Sequence, residues 1–466
     1  MIRRAIGLAL LTLLPAALPS DAATATAVTV ALRFVPEQIT IAPGDSLNLV
    51  NADVAPHNLV SKQSRRGVLL FTSATASTGG QVPVRGVEKL APGAYPFFCS
   101  IHPTMLGTLM VARGGAGSAL AGAPVGTVPT PTSIAHHDGA LYAASYGTGT
   151  IERLGVLPGG ALLPPVTYAS GFSSPLGVTF APDGTMFVAD SHSDDGGALL
   201  GRVSAVPPGG GPAEVVVDGL PNGRHATNGM AVHRGRLIIT NGNSTDDGVS
   251  GGPPEQPLSG TILSVPLRAR GIDARRPGRA LVVEARGLRN PYDVAVRPGT
   301  DEVWTPSNGP DALDPYGEDL LHRFDLRRPV VDFGFPACVY AATPEGPKVA
   351  QNPAIERPCS PRHERPVALL GLHVSADGIA FAPADGGWDG AAYIAEFGSF
   401  NGATGHAVVR VPVDSRGLAG EPETVWPGPA PLDLTFGPPG TGLYVADFAT
   451  GHITLLVPAG AAAARR

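Results

Sequence analysis

The sequence predicts an all-β protein of two domains, a β-sandwich followed by a six-bladed β-propeller. Its 466 residues are too many for one ordinary domain. The 61 glycines and 48 prolines suit short strands joined by turns rather than long helices. Apolar and polar residues alternate in short runs near the N terminus, and a strand–turn–strand pattern recurs through the remainder of the chain.

The first residues are typical of an export signal. Arg3 and Arg4 supply positive charge, residues 5–18 are apolar, and residues 20–22 resemble a cleavage site. We therefore expect residues 1–22 to be a signal peptide and the mature protein to be periplasmic or extracellular, without stable membrane insertion. A membrane anchor is disfavoured because the apolar stretch is short and contains proline. Sec and twin-arginine export both remain open.

Composition divides the mature chain into three parts. Residues 26–113 alternate in short runs bounded by turn residues, which predicts an antiparallel β-sandwich of about ninety residues. Residues 114–131 are rich in small residues and proline, carry no charge and predict an interdomain linker. Residues 132–460 carry the repeat of the expected propeller.

One copy of the repeat is an apolar strand, a glycine-containing turn, a second apolar strand and then Asp or Asn. The copies begin near Ser133, Gly177, Gly229, Tyr292, Gly378 and Leu432. Six unevenly spaced copies fit the four-stranded blades of a six-bladed propeller with long insertions. The widest gap, between the fourth and fifth copies, leaves room for a seventh blade.

Charge and cysteine content narrow the classes of function. The net charge of -6 is spread without a basic stripe, so nucleic acid is not expected as a partner. Three cysteines fit an oxidising compartment. Pairing Cys338 with Cys359 would close a loop of about twenty residues and stabilise the fold by about 3 kcal/mol. Cys99 then remains for another role.

Four residues of the first domain form a candidate copper site. Cys99, His102 and Met105 lie within seven residues, so one loop can present them, and His57 would come from another strand. A thiolate and two imidazoles form the trigonal plane of a type 1 copper centre, and an axial thioether tunes its potential. Singly, each could be a core residue, and a non-blue copper or an empty site is the alternative. Hydrolysis is not expected, because this ligand set leaves no position for water.

These residues resemble the cupredoxin family, and within it the plastocyanin, pseudoazurin and amicyanin group. The two-residue spacings after Cys99 and after His102 are those of amicyanin, and the resemblance covers about residues 26–113. It implies a Greek-key β-sandwich that transfers electrons through the exposed edge of His102. It also implies a hydrogen bond from Asn58 to the loop that carries the cysteine.

Two stretches of the second domain resemble the glucose/sorbosone dehydrogenase family. The first is residues 222–229 with 240–243, and the second is residues 287–292 followed by 307–311, 316–319 and 333–336. The resemblance spans about residues 128–460 and is strongest from 222 to 336. That family consists of six-bladed propellers and includes soluble quinoprotein sugar dehydrogenases. The resemblance implies pyrroloquinoline quinone and calcium as cofactors and a small-molecule sugar or alcohol as substrate.

The same resemblance assigns roles to individual residues. His225 matches the general base, Arg289 and Asn290 match the pair that contacts the quinone, and the carbonyls of Gly309 and Pro310 match calcium ligands. A neutral imidazole suits a base near pH 7, a guanidinium suits carboxylate oxygens, and calcium prefers oxygen ligands.

The sequence departs from this family in two respects. Asn243 stands where the family has an aspartate that orients the base, and an amide does not stabilise an imidazolium as a carboxylate does. Residues 396–401 offer no cation where the family has a late Lys and Arg pair. Further polar residues are candidates for calcium binding or for facing the channel: Asp311, Asp314, Glu318, Asp319, His373 and Asp447.

Three functions follow from these observations. In the first, the propeller oxidises a sugar or alcohol and passes electrons to the copper, within the chain or through a redox partner protein. In the second, the copper domain carries electrons and a non-catalytic propeller binds a partner or a glycan. A lactonase-type hydrolase using calcium is the third, and it needs more carboxylates on the channel than the sequence places there.

Overall fold

The computed structural model describes residues 24–30, 32–35, 38–41, 44–65, 68–90, 93–111, 120–194, 196–343, 346–383, 388–399 and 404–458. The predicted signal peptide, residues 1–22, lies outside these ranges. Strands and their connecting turns make up nearly all of the described chain, and the one helical element in it is a short 3-10 helix at Val87–Lys89. None of the described segments is a helix with the length and hydropathy of a membrane span.

The N-terminal domain is built from short strands. They are β1 (Thr24–Val30), β2 (Arg33–Val35), β3 (Gln38–Ile41), β4 (Ser46–Asn51), β5 (Val60–Ser61), β6 (Ser64–Arg65), β7 (Val68–Leu69), β8 (Thr72–Ser73), β9 (Gln81–Arg85), β10 (Gly93–Phe98) and β11 (Leu106–Val111). Nine of them join in the order β2-β1-β4-β9-β8-β5-β10-β11-β3, and β6 pairs with β7. The predicted sandwich is confirmed. Two strand pairs, β1 with β4 and β3 with β11, are parallel rather than antiparallel because long connections separate them in sequence.

The alternation seen in the sequence selects the core of this domain. In β4, Leu47 and Leu49 are buried while the intervening Asn48 is only half-buried. Phe34 and Phe97, from different strands, pack edge to face with ring centroids 4.9 Å apart. The sheet thus closes around a single apolar core.

The second domain contains the remaining strands. They are β12 (Leu120–Thr127), β13 (Pro131–His137), β14 (Ala140–Ser145), β15 (Thr150–Gly155), β16 (Val166–Ser170), β17 (Gly177–Phe180), β18 (Met186–Ser193), β19 (Leu199–Val206), β20 (Glu214–Pro221), β21 (Thr227–His233), β22 (Arg236–Asn241), β23 (Thr261–Pro266), β24 (Ile272–Asp273), β25 (Val282–Arg286), β26 (Asn290–Pro291), β27 (Ala295–Val296), β28 (Glu302–Asn308), β29 (Glu318–Asp325), β30 (Val331–Asp332), β31 (Cys338–Thr343), β32 (Gly346–Gln351), β33 (Ala368–Leu372), β34 (Ala376–Phe381), β35 (Ala392–Glu396), β36 (Ala407–Val411), β37 (Glu423–Pro427), β38 (Pro431–Phe436), β39 (Leu443–Asp447) and β40 (His452–Pro458).

These strands form the six predicted blades. Blade 1 is β13 to β16, blade 2 is β17 to β20 with β24, and blade 3 is β21, β22, β23, β25 and β30. Blade 4 is β26 to β29 with β33, and blade 5 is β34 to β37. Blade 6 is β38, β39 and β40, completed by β12.

The strand that completes blade 6 lies within the expected linker, residues 114–131. Leu120–Thr127 pairs antiparallel with β40, so the linker boundary is corrected to end before residue 120. Its small residues and proline show no alternation, and the hydrogen-bonding partner that makes it a strand lies more than 300 residues away. Residues 112–119 lie outside the described part of the chain.

The widest gap in the repeat holds an insertion rather than a seventh blade. The hairpin of β31 and β32 occupies it. The predicted disulfide between Cys338 and Cys359 is confirmed and ties the start of this hairpin to the segment that follows it. Cys99 is unpaired and buried.

The glycines that open repeat copies let neighbouring blades meet at the axis. A Cβ on Gly229 would lie 2.0 Å from Oδ1 of Asp293, and one on Gly378 would lie 2.5 Å from Oδ1 of Asp433. Asp433 in turn accepts the backbone N–H of Ile134 at 2.8 Å, which links the last blade to the first.

The aspartates that end repeat copies have a structural role. Asp190 accepts the backbone N–H of Ser173 at 3.0 Å and forms a buried ion pair with Arg202 at 2.6 Å. Asp447 accepts the backbone N–H of Ala430 at 2.8 Å and is fully buried. Asp447 therefore stabilises a turn, and it is not among the residues that line the central cavity.

Candidate functional site

Three of the predicted copper ligands converge beside the sandwich core, in the segments that follow β4 and β10. The sulfur of Cys99 lies 3.8 Å from Nδ1 of His57 and 3.9 Å from Nδ1 of His102. The two Nδ1 atoms are 3.2 Å apart. His57 and Cys99 are buried, and His102 is partly exposed. One edge of the cluster is therefore open to solvent.

The spacing of these three atoms fits one metal ion. Metal–nitrogen bonds are about 2.05 Å long and metal–sulfur bonds about 2.3 Å, so a single ion could reach all three donor atoms at these separations. A trigonal plane of one thiolate and two imidazoles is the donor set of a type 1 copper centre.

Met105 closes the loop that carries two of these ligands. Its backbone N–H donates to the carbonyl of His102 at 2.9 Å, and its carbonyl accepts the N–H of Cys99 at 3.1 Å. Its side chain is buried in the same core as the cysteine. The loop thus folds His102 back over the sulfur, and axial ligation by Met105 remains a prediction.

The hydrogen bonds expected at Asn58 are present. Its Oδ1 accepts the backbone N–H of Ser100 at 2.9 Å, and its Nδ2 donates to the Ser100 hydroxyl at 2.8 Å. Asn58 follows His57, and Ser100 follows Cys99. These two bonds therefore tie together the segments that supply two of the ligands.

Asp53 is a residue of this site that the sequence analysis missed. Its Oδ2 lies 3.3 Å from Nε2 of His57, which can donate its proton there and leave Nδ1 free for a metal. The backbone N–H of Leu32 donates to Asp53 at 2.8 Å and holds the pKa of that carboxyl below its ordinary value. The spacing of four residues between Asp53 and His57 was the available signal.

A second candidate site lies in a cavity of about 920 Å³ on the propeller axis, lined by residues of all six blades. His225, Arg289, Asn290 and Gly309 all line it, as the sequence predicts. Pro310 instead lines a neighbouring cavity of about 20 Å³. Four of the five residues assigned to this domain are therefore brought together.

His225 is held in a defined orientation. Its Nδ1 lies 2.7 Å from Oδ1 of Asn243, so the amide at the position of the family's aspartate contacts the ring. Burial, with the charges of Arg289 and Arg224, lowers the pKa of His225 to about 3. The ring is neutral near pH 7. A Cβ on Gly242 would lie 2.4 Å from that of His225, so only glycine admits the ring here.

The two arginines on the cavity wall are paired with aspartates. Arg289 donates from Nη2 to Oδ1 of Asp246 at 2.5 Å and from Nε to its carbonyl at 2.8 Å. Arg224 donates from Nη2 to Oδ2 of Asp311 at 2.5 Å. Burial and the Arg289 charge act in opposite directions on Asp246, and its pKa is lowered overall. The positive charge of this wall is thus balanced by two carboxylates.

Asn290 makes its hydrogen bonds within the protein. Its Nδ2 donates to Oδ1 of Asn308 at 2.6 Å, and its Oδ1 accepts from Nδ2 of Asn228 at 3.1 Å. The bond with Asn228 joins blade 4 to blade 3, and the bond with Asn308 lies within blade 4. A contact with a quinone remains a prediction for this residue.

The acidic candidates fall into three groups. Asp319 is buried, accepts the N–H of Gly309 at 2.8 Å, and has its pKa raised by burial to about 6. Asp314 is exposed and lies 2.7 Å from Nε2 of His373, which lines the cavity. Glu318 lines the small cavity beside Pro310, and its buried Oε2 has no hydrogen-bond partner among the described residues. An unpartnered carboxylate oxygen beside the predicted carbonyl ligand fits a hard cation such as calcium.

Comparison with known proteins agrees with both domains. A family model described as a cupredoxin-like domain matches residues 4–111. The chain is 34% identical to a plastocyanin of Nostoc punctiforme over 90 residues, which are 17% of this chain and 65% of that protein. It is 28% identical to an amicyanin of Paracoccus versutus over 80 residues, 17% of this chain and 58% of that protein. The matches thus span less than two thirds of either relative.

Solved structures resemble the propeller. The PQQ domain of a pyranose dehydrogenase from Coprinopsis cinerea superposes with a TM-score of 0.58 at 17% identity, covering 72% of this chain and 95% of that one. A calcium structure of a family AA12 enzyme from Trichoderma reesei gives 0.60 at 17% identity, covering 74% and 96%. The PQQ-bound aldose sugar dehydrogenase of Streptomyces coelicolor gives 0.51 at 19% identity, covering 73% and 98%. The chain therefore joins a cupredoxin-like domain to a six-bladed β-propeller with the fold of PQQ-dependent sugar dehydrogenases.

Proposed function

We propose that this protein is an exported type 1 copper electron-transfer protein whose propeller oxidises a sugar or an alcohol and passes the electrons to the copper. One observation carries the proposal. A neutral, oriented His225 lines a large cavity of a dehydrogenase-like propeller, in the same chain as the cluster of His57, Cys99 and His102. The linkage of the domains gives the electron acceptor a high effective concentration.

In the copper domain, His57, Cys99 and His102 would hold the ion, with Met105 as the axial ligand. The ion would accept and release one electron at a time. Burial of His57 and Cys99 keeps water from the sulfur, and the partly exposed ring of His102 offers the edge through which electrons pass. Asn58 and Asp53 hold two of the ligand-bearing segments and so limit rearrangement between redox states.

In the propeller, the cavity is large enough for a cofactor and a sugar together. Pyrroloquinoline quinone would supply a hydride acceptor there, and Arg289 and Asn290 are its expected contacts. Nε2 of His225 would take the proton of the substrate hydroxyl while Asn243 holds the opposite side of the ring. The carbonyls of Gly309 and Pro310, with Glu318, are the expected calcium ligands.

Export belongs to the proposal. The disulfide between Cys338 and Cys359 supports it, because such bonds persist in oxidising compartments. N-terminal sequencing of the protein recovered from its native compartment should begin just after residue 22. A mature protein that retains residues 1–22 and stays in the cytosol would contradict this part.

The central experiment uses the full chain loaded with copper, calcium and the quinone. A visible spectrum should show an intense blue band, and a suitable sugar or alcohol should bleach it as the copper is reduced. His225→Ala should abolish the bleaching and leave the band itself intact. His192→Ala removes a partly exposed histidine that is paired with Asp218 away from the cavity, and it should have no effect. A blue protein that no sugar or alcohol bleaches would refute the catalytic part.

A second function is favoured by the charge of the cavity. Arg224 and Arg289 are both paired with aspartates, and no other Arg or Lys lines the cavity within the described part of the chain. A cofactor with three carboxylates would meet little free positive charge there. Under this alternative the propeller binds a glycan or a partner protein without turnover, and His225→Ala retains full function.

A further inference from the structure

The loop between β22 and β23 supplies a carboxylate behind Asn243. Nδ2 of Asn243 donates to Oε1 of Glu255 at 2.8 Å. On its other side, Oδ1 of the same amide lies 2.7 Å from Nδ1 of His225. Glu255, Asn243 and His225 thus form a continuous chain of hydrogen bonds that ends at the cavity.

The carboxylate of Glu255 is itself fixed in place. The backbone N–H of Ser244 donates to its Oε2 and that of Thr245 to its Oε1, both at 3.0 Å. The hydroxyl of Thr245 donates to Oε1 as well. The donors belong to the two residues that follow Asn243, so the loop folds back on its own beginning.

An ionised carboxylate accepts hydrogen bonds and donates none. The amide of Asn243 must therefore turn its NH₂ group toward Glu255 and its oxygen toward His225. That oxygen can only accept, so Nδ1 of His225 must carry the proton and Nε2 must carry the lone pair. The chemistry of Glu255 thereby determines an amide orientation and a tautomer that are otherwise ambiguous.

We propose that Glu255 is a positioning residue that sets the tautomer of His225 through Asn243. This rests on the proposed function only for the role of His225 as the base. In the proposed oxidation, Nε2 of His225 takes the proton of the substrate hydroxyl as its O–H bond breaks. The carbon that bears this hydroxyl would give up its C–H hydrogen as a hydride to a bound quinone, and the substrate becomes a carbonyl compound. Glu255 then faces the imidazolium across one polarised amide, which compensates in part for the carboxylate that position 243 lacks.

The test is the tautomer of His225 in the full chain without added cofactor. Nitrogen-15 NMR of histidine-labelled protein distinguishes a protonated Nδ1 from a protonated Nε2, and a His225→Gln spectrum identifies the signal. We expect the Nδ1–H form in the unmodified protein. In Glu255→Gln the new side chain can donate as well as accept, so Asn243 loses its unique orientation and the Nε2–H form appears. Turnover of the loaded enzyme should fall by about tenfold or more, because in the Nε2–H form Nε2 has no lone pair with which to accept the substrate proton.

Two further variants complete the design. Glu284→Gln alters a half-buried glutamate of the same blade that bonds to Ser264, and it should leave the His225 signal unchanged. Adding Asn243→Asp to Glu255→Gln restores an acceptor-only group beside the ring and should restore the Nδ1–H form. If Glu255→Gln alone does not fold, Asn243→Ala breaks the same chain of hydrogen bonds at its middle and should show the Nε2–H form.

Persistence of a pure Nδ1–H form in a folded Glu255→Gln protein would overturn the proposal, and so would an Nε2–H form in the double variant. The tautomer is read without substrate or cofactor. Its shift in Glu255→Gln would support the positioning role even if the unmodified protein oxidised no sugar or alcohol. Failure of the proposed function is therefore distinguishable from failure of this inference.

Discussion

Replacing Asn58 with alanine should destabilise the copper domain by about 1–2 kcal/mol. The change removes two hydrogen bonds to Ser100, of 2.9 and 2.8 Å, that join the segment of His57 to the loop of Cys99. A net bond is worth about 0.5–1.5 kcal/mol. Asn58 is half-buried and Ser100 is exposed, which places these bonds in the lower part of that range. A loss of about 1.4 kcal/mol corresponds to a tenfold change in the unfolding equilibrium of this domain.

The assay is urea unfolding of the copper-loaded full chain, followed by bleaching of the blue band, because that signal reports the first domain alone. Ser100→Ala is the matched control. It removes the hydroxyl and keeps the backbone N–H that donates to Asn58, so it should cost at most half as much. An equal loss of unfolding free energy in the two variants, or no loss in Asn58→Ala, would refute the idea that Asn58 and Ser100 join the two ligand segments.

Three other predictions concern the propeller. Replacing Cys338 and Cys359 together by serine should lower its stability by about 3 kcal/mol, measured as guanidinium unfolding, and reductant should then have no further effect. Burial lowers the pKa of His225 and of His322 to about 3, so below pH 6.5 the unfolded chain binds protons there that the folded chain does not. Each histidine should therefore reduce the free energy of unfolding by up to about 1.4 kcal/mol per pH unit as the pH falls from 6.5 toward 3, and replacing His225 by asparagine should reduce that slope. Gly242→Ala should displace the His225 ring and lower turnover at least tenfold with little change in far-UV circular dichroism, since its Cβ would overlap that of His225; unchanged turnover would contradict the packing argument.

The copper cluster could be predicted because its chemistry is local in sequence. Three of its candidate ligands lie on one short loop, and few other residue combinations have the same donor set. Asp53 could not be assigned in the same way. Its contact with His57 depends on the turn between them, which is fixed when Nδ2 of Asn51 donates to the carbonyl of Ala55 at 2.7 Å. The spacing of four residues between Asp53 and His57 does not by itself reveal such a turn.

In the propeller, the number of blades could be predicted from the repeat, but several individual elements depend on contacts that are distant in sequence. Its repeat predicts six blades because copies that open on glycine pack closely against the next blade, and aspartates that end copies hold turns. The strand Leu120–Thr127 could not be recognised because its identity depends on β40 at the other end of the domain. The loop between β22 and β23 supplies Asp246 and Glu255 to the site. The sequence around these two residues is rich in glycine and proline and contains no motif that marks them. Their partners, Arg289 and Asn243, come together with them only when the loop folds.

The difference in burial between the two aspartates of the cavity wall decides which arginine a ligand can use. Asp246 is 6% exposed and held by Arg289, so separating them would leave a buried charge without a partner, at a cost of about 3–5 kcal/mol. Asp311 is 58% exposed, and its pairs with Arg224 at 2.5 Å and with Arg289 at 3.3 Å resemble surface ion pairs, each worth at most about 1 kcal/mol. A carboxylate of a ligand can therefore displace Asp311 from Arg224 at little cost. Arg224 keeps a longer contact of 3.4 Å with Asp246, whereas Arg289 holds that buried carboxylate at 2.5 Å. Arg224, which precedes His225 in the sequence, is then the cation of this cavity that is open to an anionic ligand. The resemblance assigns that role to Arg289 instead.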